Sequence, residues 1–272
     1  MSDYFYIYNI SVNMDEANKT IPFTTWMIVY TPSESRVANY NHLNKIHPTN
    51  QFAAIDSVSN FQKYSDFAIE NKYNTPEYIE TIRKHPGKLG CNLSHQLLVE
   101  EIAEKSLTEW NLVLEDDTLI HIPMLLNEVQ PMLHAATKYG SKYIQLYTHP
   151  RFRTEQSNRG KVGENLYNML YQWGTCAYFI HKDAVPKMRE IYPVHQNMDY
   201  VYSSLISRLK SLCWLTPYIK TIGDADGYSR HTISSMGSII MSRSALGGFS
   251  IETAYAEFDE FLRKMVADGS TV

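Results

Sequence analysis

The sequence predicts an α/β fold with a mostly parallel central sheet flanked by helices. Short apolar runs typical of buried strands alternate along the chain with segments whose apolar residues follow helical spacing. The 272 residues, 44% of them hydrophobic, are enough for one large domain with a full core. The apolar run at residues 110–114 ends in three consecutive acids, Glu115, Asp116 and Asp117. These acids would lie at the carboxyl edge of a sheet, where open α/β folds bind their ligands.

The first part of the chain predicts three strands, one helix and a long irregular segment. Residues 4–12 alternate loosely between apolar and polar side chains and predict a strand or a packed N-terminal arm. Residues 26–30 predict a buried strand and residues 51–55 a short strand, and the helix at 35–46 between them ends before a proline. Residues 56–86 are polar and aromatic, which is typical of loop and short helix, and we interpret them as a mobile flap near a bound ligand.

Two longer helices and another strand follow. Asn92 is a good N-cap, and residues 93–106 repeat apolar side chains at i,i+4 spacing. After the acidic run a second helix opens at Pro123, and Pro131 within it is expected to kink or split that helix. Residues 143–147 predict the next strand.

The last part of the chain combines a basic loop with further short elements. Residues 148–163 are basic and polar and predict either a solvated loop or a lid over phosphates. Residues 166–171 and 175–180 predict two strands that pair with each other. Residues 184–192 and 200–209 predict helices, and residues 212–215 predict a short strand. Residues 251–266 predict an amphipathic C-terminal helix that packs on the domain.

The composition excludes several classes of protein. A net charge of −4 argues against a general nucleic-acid-binding surface. No apolar run is long enough to span a bilayer, and the first residues lack the basic segment of a signal peptide, so we expect a cytoplasmic protein. Cys91, Cys176 and Cys213 are odd in number and widely spaced, which fits free thiols better than a disulfide framework or a zinc site.

The acidic run Glu115-Asp116-Asp117 is the first candidate site. Three adjacent carboxylates repel one another unless a cation, a proton or a hydroxyl-rich ligand compensates their charge. A hard divalent ion with oxygen ligands does this, and such an ion also bridges phosphates. Acidic triplets are more commonly solvated turns or helix caps, but a solvated turn does not need the buried strand that precedes this one.

A second candidate site lies upstream, in the sequence Gly-Lys-Leu-Gly-Cys-Asn-Leu-Ser-His at residues 87–95. Its glycines, including Gly90, permit a close backbone approach, and Ser94 and His95 are predicted in the first turn of the following helix. Free N–H groups and the helix dipole favour an anion there, and Lys88 adds positive charge. The alternative is an ordinary capped helix whose His95 packs against the strand, and the spacing alone does not separate the two.

Together, the two motifs resemble glycosyltransferase family 25, the family of lipopolysaccharide-type sugar transferases related to the collagen galactosyltransferases. The order Gly-Cys-Asn-Leu-Ser-His, helix, Leu-Glu-Asp-Asp is much more specific than either half. Further segments between residues 25 and 235 are similar to elements of this family: Ile28-Val29-Tyr30 with the downstream Arg36, Phe52-Ala53-Ala54-Ile55-Asp56, Trp173-Gly174-Thr175 with the strand after it, and Met198-Asp199-Tyr200.

The resemblance implies a GT-A-like single domain and suggests roles for individual residues. It implies Asp117 as the principal ligand of a divalent metal, Mn²⁺ or Mg²⁺, while Glu115 and Asp116 share metal, ribose and supporting roles. His231 would supply a late metal or phosphate contact. The family is regarded as inverting, which requires a base for the acceptor hydroxyl; Asp199 is the candidate, although an N-cap is the commoner role of such a residue. The other expected donor-site residues are Arg36, Lys88, Gly90, Ser94, His95, Gly174 and Thr175.

The predicted function is metal-dependent transfer of a hexose from a nucleotide sugar, a UDP-sugar, to a hydroxyl of a glycan, lipid-linked or protein acceptor. One alternative is a non-catalytic relative that binds a nucleotide sugar or a glycan. Another is a metal-dependent nucleotidyl or phosphoryl transferase, for which a glycine-rich phosphate loop is expected, and the sequence contains no Walker-type motif. The predicted organisation is an N-terminal arm at 1–24, the transferase domain at 25–235 and a helical extension at 236–272.

Overall fold

The computed structural model describes residues 23–147, 153–170, 174–221 and 250–267. The segment predicted as a strand or arm at residues 4–12 lies outside these ranges, as does His231.

Helices and strands alternate along the described chain. The first half contains β1 (Phe23–Val29), α1 (Glu34–Ile46), β2 (Thr49–Ala53), α2 (Phe61–Glu70), α3 (Pro76–Ile82), α4 (Gly87–Lys105), β3 (Trp110–Glu115), β4 (Thr118–Ile120) and α5 (Ile122–Tyr139). The second half contains β5 (Tyr143–Gln145), α6 (Arg153–Ser157), β6 (Lys161–Gly163), β7 (Leu166–Asn168), β8 (Ala177–His181), α7 (Val185–Arg189), α8 (Met198–Ser204), α9 (Ile206–Leu209), β9 (Leu212–Trp214), β10 (Ile219–Thr221) and α10 (Ile251–Ala267). The predicted α/β class is confirmed.

Eight strands form the central sheet, in the order β2-β1-β3-β8-β5-β9-β7-β6. β1 pairs in parallel with β2 and β3, and β5 pairs in parallel with β9. β8 is antiparallel to β3 and β5, and β7 is antiparallel to β9 and β6. Six of these eight strands therefore run in one direction, as the prediction of a mostly parallel sheet requires, but β7 and β8 oppose them and make the sheet mixed.

The path of the chain across the sheet changes direction at β1. β2 pairs with one edge of β1, and β3 pairs with the other edge. Open α/β sheets bind ligands at such a switch point, beyond the carboxyl ends of the strands. The acidic run follows β3 at this position, so the topology brings it next to the residues that follow β1.

Helices cover both faces of the sheet because strand side chains alternate between the faces. Leu112 and Phe179 belong to a core cluster with residues of α1 and α5. Val113 and Tyr178, each one residue along the same strands, belong to a second cluster with residues of α4, α7 and α8. The C-terminal helix α10 packs against α1 and β4 in a smaller cluster.

The helix of the glycine-containing motif begins earlier than the sequence predicts. It starts at Gly87, five residues before Asn92, so Ser94 and His95 lie in its interior and not in its first turn. A Cβ at Gly90 would lie 2.4 Å from the carbonyl oxygen of Ile55, which shows how closely this helix packs against the segment after β2. Glycine has a low helical propensity, so the two glycines of the motif hide the true start of the helix in the sequence. The close packing favours a helix there despite this low propensity.

One other prediction about a single element is wrong in part, and another is wrong. Pro131 does not split its helix, since α5 continues from Ile122 to Tyr139. The buried neighbours Met132 and Leu133 belong to the main core, and this packing offsets the lost backbone hydrogen bond. The strands predicted to pair at 166–171 and 175–180 do not pair with each other, because β8 lies between β3 and β5 while β7 lies between β9 and β6. β8 is buried throughout, which suits a central position.

Several predicted segments divide into shorter elements. Residues 56–86 contain the two helices α2 and α3, and residues 200–209 are shared between α8 and α9. A 3₁₀ turn at Lys182–Ala184 precedes α7. The sequence did not predict β4 and β10, which form a separate antiparallel pair beside the main sheet.

Candidate active site

Asp116 anchors the turn between β3 and β4. Its Oδ2 accepts a 2.6 Å hydrogen bond from the backbone N–H of Tyr30, and its Oδ1 forms a 2.6 Å ion pair with Arg36 Nη1. The buried Asn39 donates to the carbonyl oxygens of Asp116 and Thr118, at 2.8 and 2.9 Å. Burial raises the pKa of Asp116 to about 6, although Arg36 and the Tyr30 N–H act in the opposite direction. Both carboxylate oxygens are engaged, so Asp116 holds the turn in place.

Asp117 has the opposite environment. It is buried, and its Oδ1 has no hydrogen-bond partner in the described part of the chain. Burial, followed by repulsion from Glu115 and Asp116, raises the pKa of Asp117 to about 7. A buried carboxylate oxygen without a partner is costly unless a proton or a cation compensates it. This donor therefore fits a hard divalent cation, which prefers carboxylate oxygens.

Glu115 is held by two side chains from other elements. Its Oε1 lies 3.0 Å from His95 Nε2 and accepts a 2.6 Å hydrogen bond from Thr175 Oγ1. Burial raises the pKa of Glu115, but these two hydrogen bonds outweigh burial and leave the pKa below its usual value. His95 and Thr175 thus hold Glu115 through Oε1, and its other oxygen takes no part in these two contacts. The side chain of Glu115 is 28% exposed.

Asp199 joins the site from α8, on the far side of the sheet from α1. Its Oδ1 accepts a 2.9 Å hydrogen bond from the backbone N–H of Gly174, and burial raises the pKa of its carboxyl group. Asn197 occupies the N-cap position of α8, so Asp199 lies in the first turn. Since Thr175 bonds to Glu115, the consecutive residues Gly174 and Thr175 connect the two acids.

Asn92 is a site residue whose role the sequence did not reveal. Its side chain accepts a 3.0 Å hydrogen bond from the N–H of Met198 and donates a 3.0 Å bond to the carbonyl oxygen of Gln196. It therefore caps α8 and not the helix that contains it. Its preference for capping positions was the available signal, but the local pattern does not indicate which helix Asn92 caps.

The other residues of the glycine-containing motif divide between packing and support of Glu115. Ser94 donates to the carbonyl oxygen of Gly90 at 2.6 Å and accepts from the N–H of Ile55 at 2.8 Å, so it fixes α4 against the neighbouring segment. His95 Nδ1 lies 2.9 Å from the hydroxyl of Tyr178, which places the imidazole between Tyr178 and Glu115. Lys88 is exposed in the first turn of α4.

Cys91 is a further site residue that the sequence analysis left unassigned. One donor atom from each of Cys91, His95 and Glu115 lies within 4.8 Å of the other two. Solvent reaches Cys91, yet protein surrounds the thiol on most sides. This burial, with the nearby charges of Glu115 and Asp199, raises the pKa of Cys91 well above its usual range. A separate depression at the amino end of β1, lined by Thr25, Asn44, Asn50 and their neighbours, contains none of the predicted site residues.

Comparison with known proteins identifies a family and several distant structural likenesses. Residues 38–202 match the family described as "Glycosyltransferase family 25 (LPS biosynthesis protein)". No curated protein matches the sequence significantly. Every helix in the described ranges is too short or too polar to cross a bilayer.

Three solved structures are distantly similar to this chain. A glycosyltransferase involved in glycosylation of the major capsid of PBCV-1 is 16% identical with a TM-score of 0.33, over 68% of this chain and 66% of that chain. A197 from STIV is 11% identical with a TM-score of 0.41, over 73% of this chain and 84% of that chain. Mouse xyloside xylosyltransferase 1, apo form, is 10% identical with a TM-score of 0.36, over 71% of this chain and 84% of that chain.

Proposed function

Since this chain belongs to glycosyltransferase family 25, we propose that it transfers a hexose from a UDP-sugar to a hydroxyl of a glycan, lipid-linked or protein acceptor. The reaction requires a divalent cation, Mn²⁺ or Mg²⁺, inverts the anomeric centre and takes place in the cytoplasm. The observation that carries this proposal is the convergence of Glu115, Asp117 and Asp199 beside the switch point of the sheet. Two of these acids are linked through Gly174 and Thr175, and Oδ1 of the third has no partner among the described residues.

Asp117 is the residue best suited to hold the cation. Its buried Oδ1 lacks a partner among the described residues, and its raised pKa reflects a charge that the surrounding protein does not compensate. The unengaged oxygen of Glu115 is the second available donor. When bound, the cation would stabilise the negative charge that develops on the departing nucleoside diphosphate. His231 remains a predicted contact that lies outside the described residues.

Arg36 and Asp116 serve the donor side of the site. Arg36 forms its ion pair with Asp116 through Nη1 and is 25% exposed, so other N–H groups of the guanidinium are available for a phosphate or a ribose. Asp116 keeps this guanidinium in position while it secures the turn that carries Asp117. Lys88 adds positive charge at the exposed start of α4.

Asp199 is the base in this proposal. The backbone N–H groups of Gly174 and Thr175 orient the Asp199 carboxylate, and this carboxylate accepts the proton of the acceptor hydroxyl. Burial raises the pKa of Asp199, and a higher pKa makes its carboxylate a stronger base. The proton moves from the acceptor oxygen to Asp199 as that oxygen attacks the anomeric carbon and the bond to the diphosphate breaks.

The test compares binding and turnover in three variants. Thermal unfolding is measured with UDP, other nucleotides and UDP-hexoses, with and without Mn²⁺, because a ligand at a hundred times its Kd adds about 2.7 kcal/mol of stability. We expect a Mn²⁺-dependent shift with UDP that disappears in Asp117→Ala and persists in Asp199→Asn, while sugar release or transfer is lost in both. The exposed Asp66 on α2 provides the control Asp66→Asn, which should behave as wild type.

The outcomes separate the candidate functions. Binding without turnover in the wild-type protein would favour a non-catalytic relative. Release of pyrophosphate or transfer of a nucleotidyl group would favour the phosphoryl-transfer alternative. A folded protein that no nucleotide stabilises would contradict the proposed donor site.

A further inference from the structure

We propose that Cys91, His95 and Glu115 form a binding site for a zinc ion, distinct in its chemistry from the oxygen site at Asp117. The three side chains offer a sulfur, a nitrogen and an oxygen donor within 4.8 Å of one another. Zinc accepts this mixture of ligands, whereas Mg²⁺ and Mn²⁺ favour oxygen. These three ligands therefore favour zinc over the Mn²⁺ or Mg²⁺ of the proposed transfer reaction.

The nitrogen of His95 and the oxygen of Glu115 already lie close to the spacing that zinc requires. His95 Nε2 and Glu115 Oε1 are 3.0 Å apart. Zinc bonds of about 2.0–2.1 Å to nitrogen and oxygen hold two tetrahedral ligands roughly 3.3 Å apart. A zinc ion can thus replace the hydrogen bond between these side chains after a small separation. Cys91 lies one turn before His95 on α4, so the same helix presents the sulfur and the nitrogen.

The surroundings of His95 supply the support that metal-binding histidines usually have. Its second nitrogen, Nδ1, lies 2.9 Å from the hydroxyl of Tyr178, and that hydroxyl lies 2.9 Å from the hydroxyl of Tyr202. Partners of this kind fix the orientation and the tautomer of a ligating imidazole. Thr175 donates to Glu115 and restrains the oxygen ligand in the same way.

The protons of the site balance on zinc binding. In the metal-free site Nε2 carries the imidazole proton and donates it to Glu115 Oε1. When zinc binds Nε2, that nitrogen releases its proton to solvent and Nδ1 takes up one proton from solvent, so the imidazole stays neutral. Nδ1 then donates to the oxygen of Tyr178, whose own proton turns toward Tyr202. The Cys91 thiol releases one proton to solvent as the sulfur–zinc bond forms. Water completes the tetrahedral coordination.

Zinc at this site would inhibit transfer. Zinc would bind Oε1 of Glu115, whereas the catalytic cation would use the other oxygen of the same carboxylate. Zinc therefore places a second divalent charge close to the catalytic cation, and repulsion between the two charges weakens binding of the cation. This consequence rests on the proposed function, whereas zinc binding itself does not.

The first experiment measures zinc binding directly. The full-length protein is stripped of metal with a chelator and titrated with Zn²⁺ against a chromophoric competitor. We expect one tight site in the wild-type protein and at least about a 10-fold loss of affinity in Cys91→Ser. His85→Ala is the matched control, because His85 is an exposed histidine just before α4 and its loss should not affect the tight site.

Cobalt gives a spectroscopic readout of the sulfur ligand. Co²⁺ added to the metal-free protein should produce a thiolate-to-cobalt charge-transfer band in wild type and in His85→Ala, and no such band in Cys91→Ser. Equal zinc affinity in wild type and Cys91→Ser, or the absence of a one-to-one site, overturns the proposal. Circular dichroism of Cys91→Ser checks that its fold is intact.

An activity measurement separates this proposal from the proposed function. Zn²⁺ added in the presence of Mn²⁺ should inhibit hexose transfer by wild type at lower concentrations than transfer by Cys91→Ser, each relative to its own rate with Mn²⁺ alone. Tight zinc binding with a cobalt–thiolate band in a protein that transfers no sugar would support the zinc site and contradict the transferase. Transfer that Zn²⁺ inhibits equally in both proteins would contradict the inhibitory role of Cys91.

Discussion

The backbone N–H of Gly174 donates a 2.9 Å hydrogen bond to Oδ1 of Asp199 and so joins the start of β8 to the start of α8. The next residue, Thr175, bonds to Glu115 at the end of β3. Two consecutive residues therefore set the separation between the proposed base and the proposed metal side of the site. We therefore expect catalysis to depend on the geometry of this short connection.

Replacement of Gly174 tests this connection. Gly174 has φ +119°, which side-chain-bearing residues rarely adopt, and a Cβ would lie 2.7 Å from Tyr147 Cδ1. Gly174→Ala should destabilise the protein by about 1–3 kcal/mol and reduce kcat by more than the loss of folded protein explains. The measurement is urea unfolding together with initial transfer rates.

Gly87→Ala is the matched control for this substitution. Gly87 opens α4, and no atom lies within 4 Å of its would-be Cβ, so alanine should leave stability and activity nearly unchanged. Equal behaviour of the two variants would contradict the special role of Gly174.

Asp117 makes the metal-free protein less stable as the pH rises. Its pKa of about 7 in the folded protein lies above the usual value of an aspartate. Between pH 4 and 7 the native state therefore binds more protons at Asp117 than the unfolded state does. The free energy of unfolding falls as the pH rises through this range, and the raised pKa accounts for a fall of at most about 4 kcal/mol. Asp117→Asn should remove this slope and be more stable than wild type at pH 8 in EDTA.

Mn²⁺ should reverse the order of these two proteins. A cation bound at the proposed site would stabilise the ionised Asp117 of wild type, whereas the amide of Asp117→Asn is a poorer ligand. Urea unfolding at pH 5 and pH 8, in EDTA and in Mn²⁺, gives all the required comparisons. An Asp117→Asn protein that is less stable than wild type at pH 8 in EDTA would show that Asp117 is already compensated without a cation.

Arg36 and Asp116 should behave as a coupled pair. Arg36→Gln leaves the buried Asp116 carboxylate with the Tyr30 N–H as its remaining side-chain contact. We expect the free energy of unfolding to fall by about 2–4 kcal/mol at pH 8. The loss should be smaller at pH 5, because Asp116, with a pKa of about 6, is then largely protonated in wild type as well.

A double-mutant cycle checks the origin of this loss. Asp116→Asn removes the charge that Arg36→Gln leaves unpaired, so the double variant should be more stable at pH 8 than Arg36→Gln alone. Additive losses would mean that the two side chains act independently.

Asn92 should affect catalysis through the position of α8. Asn92→Ala removes the acceptor for the Met198 N–H and the donor to the carbonyl oxygen of Gln196. We expect the free energy of unfolding to fall by about 1–3 kcal/mol. Because Asp199 follows Met198 directly, kcat should fall while the affinity for UDP and Mn²⁺ changes little.

Asn71→Ala provides the comparison for this variant, since Asn71 caps the exposed end of α2 with a single side-chain hydrogen bond. It should cost less stability and leave kcat unchanged. If both asparagine variants lose kcat equally, the link from Asn92 to Asp199 is not responsible.

The sequence by itself determined the features that depend on local pattern. The buried run that ends at Glu115 predicted a strand with acids at its carboxyl edge, and β3 occupies this position. The periodicity of residues 251–266 predicted a helix, and α10 spans nearly the same range with its apolar face against α1 and β4. Such patterns are readable because each residue faces the core or the solvent in a regular repeat.

Tertiary structure alone decided the features that depend on distant contacts. The local pattern of the acidic run did not separate Asp116 from Asp117, although the family resemblance implied Asp117 as the principal metal ligand. The approach of Tyr30 and Arg36 engages one carboxylate and leaves Oδ1 of the other without a partner among the described residues. Likewise, the capping tendency of Asn92 is local, but the helix that it caps comes from more than 100 residues later in the chain. Hydrogen-bond partners and burial determine the charge and the role of these side chains, and both are fixed by segments that meet only when the chain has folded.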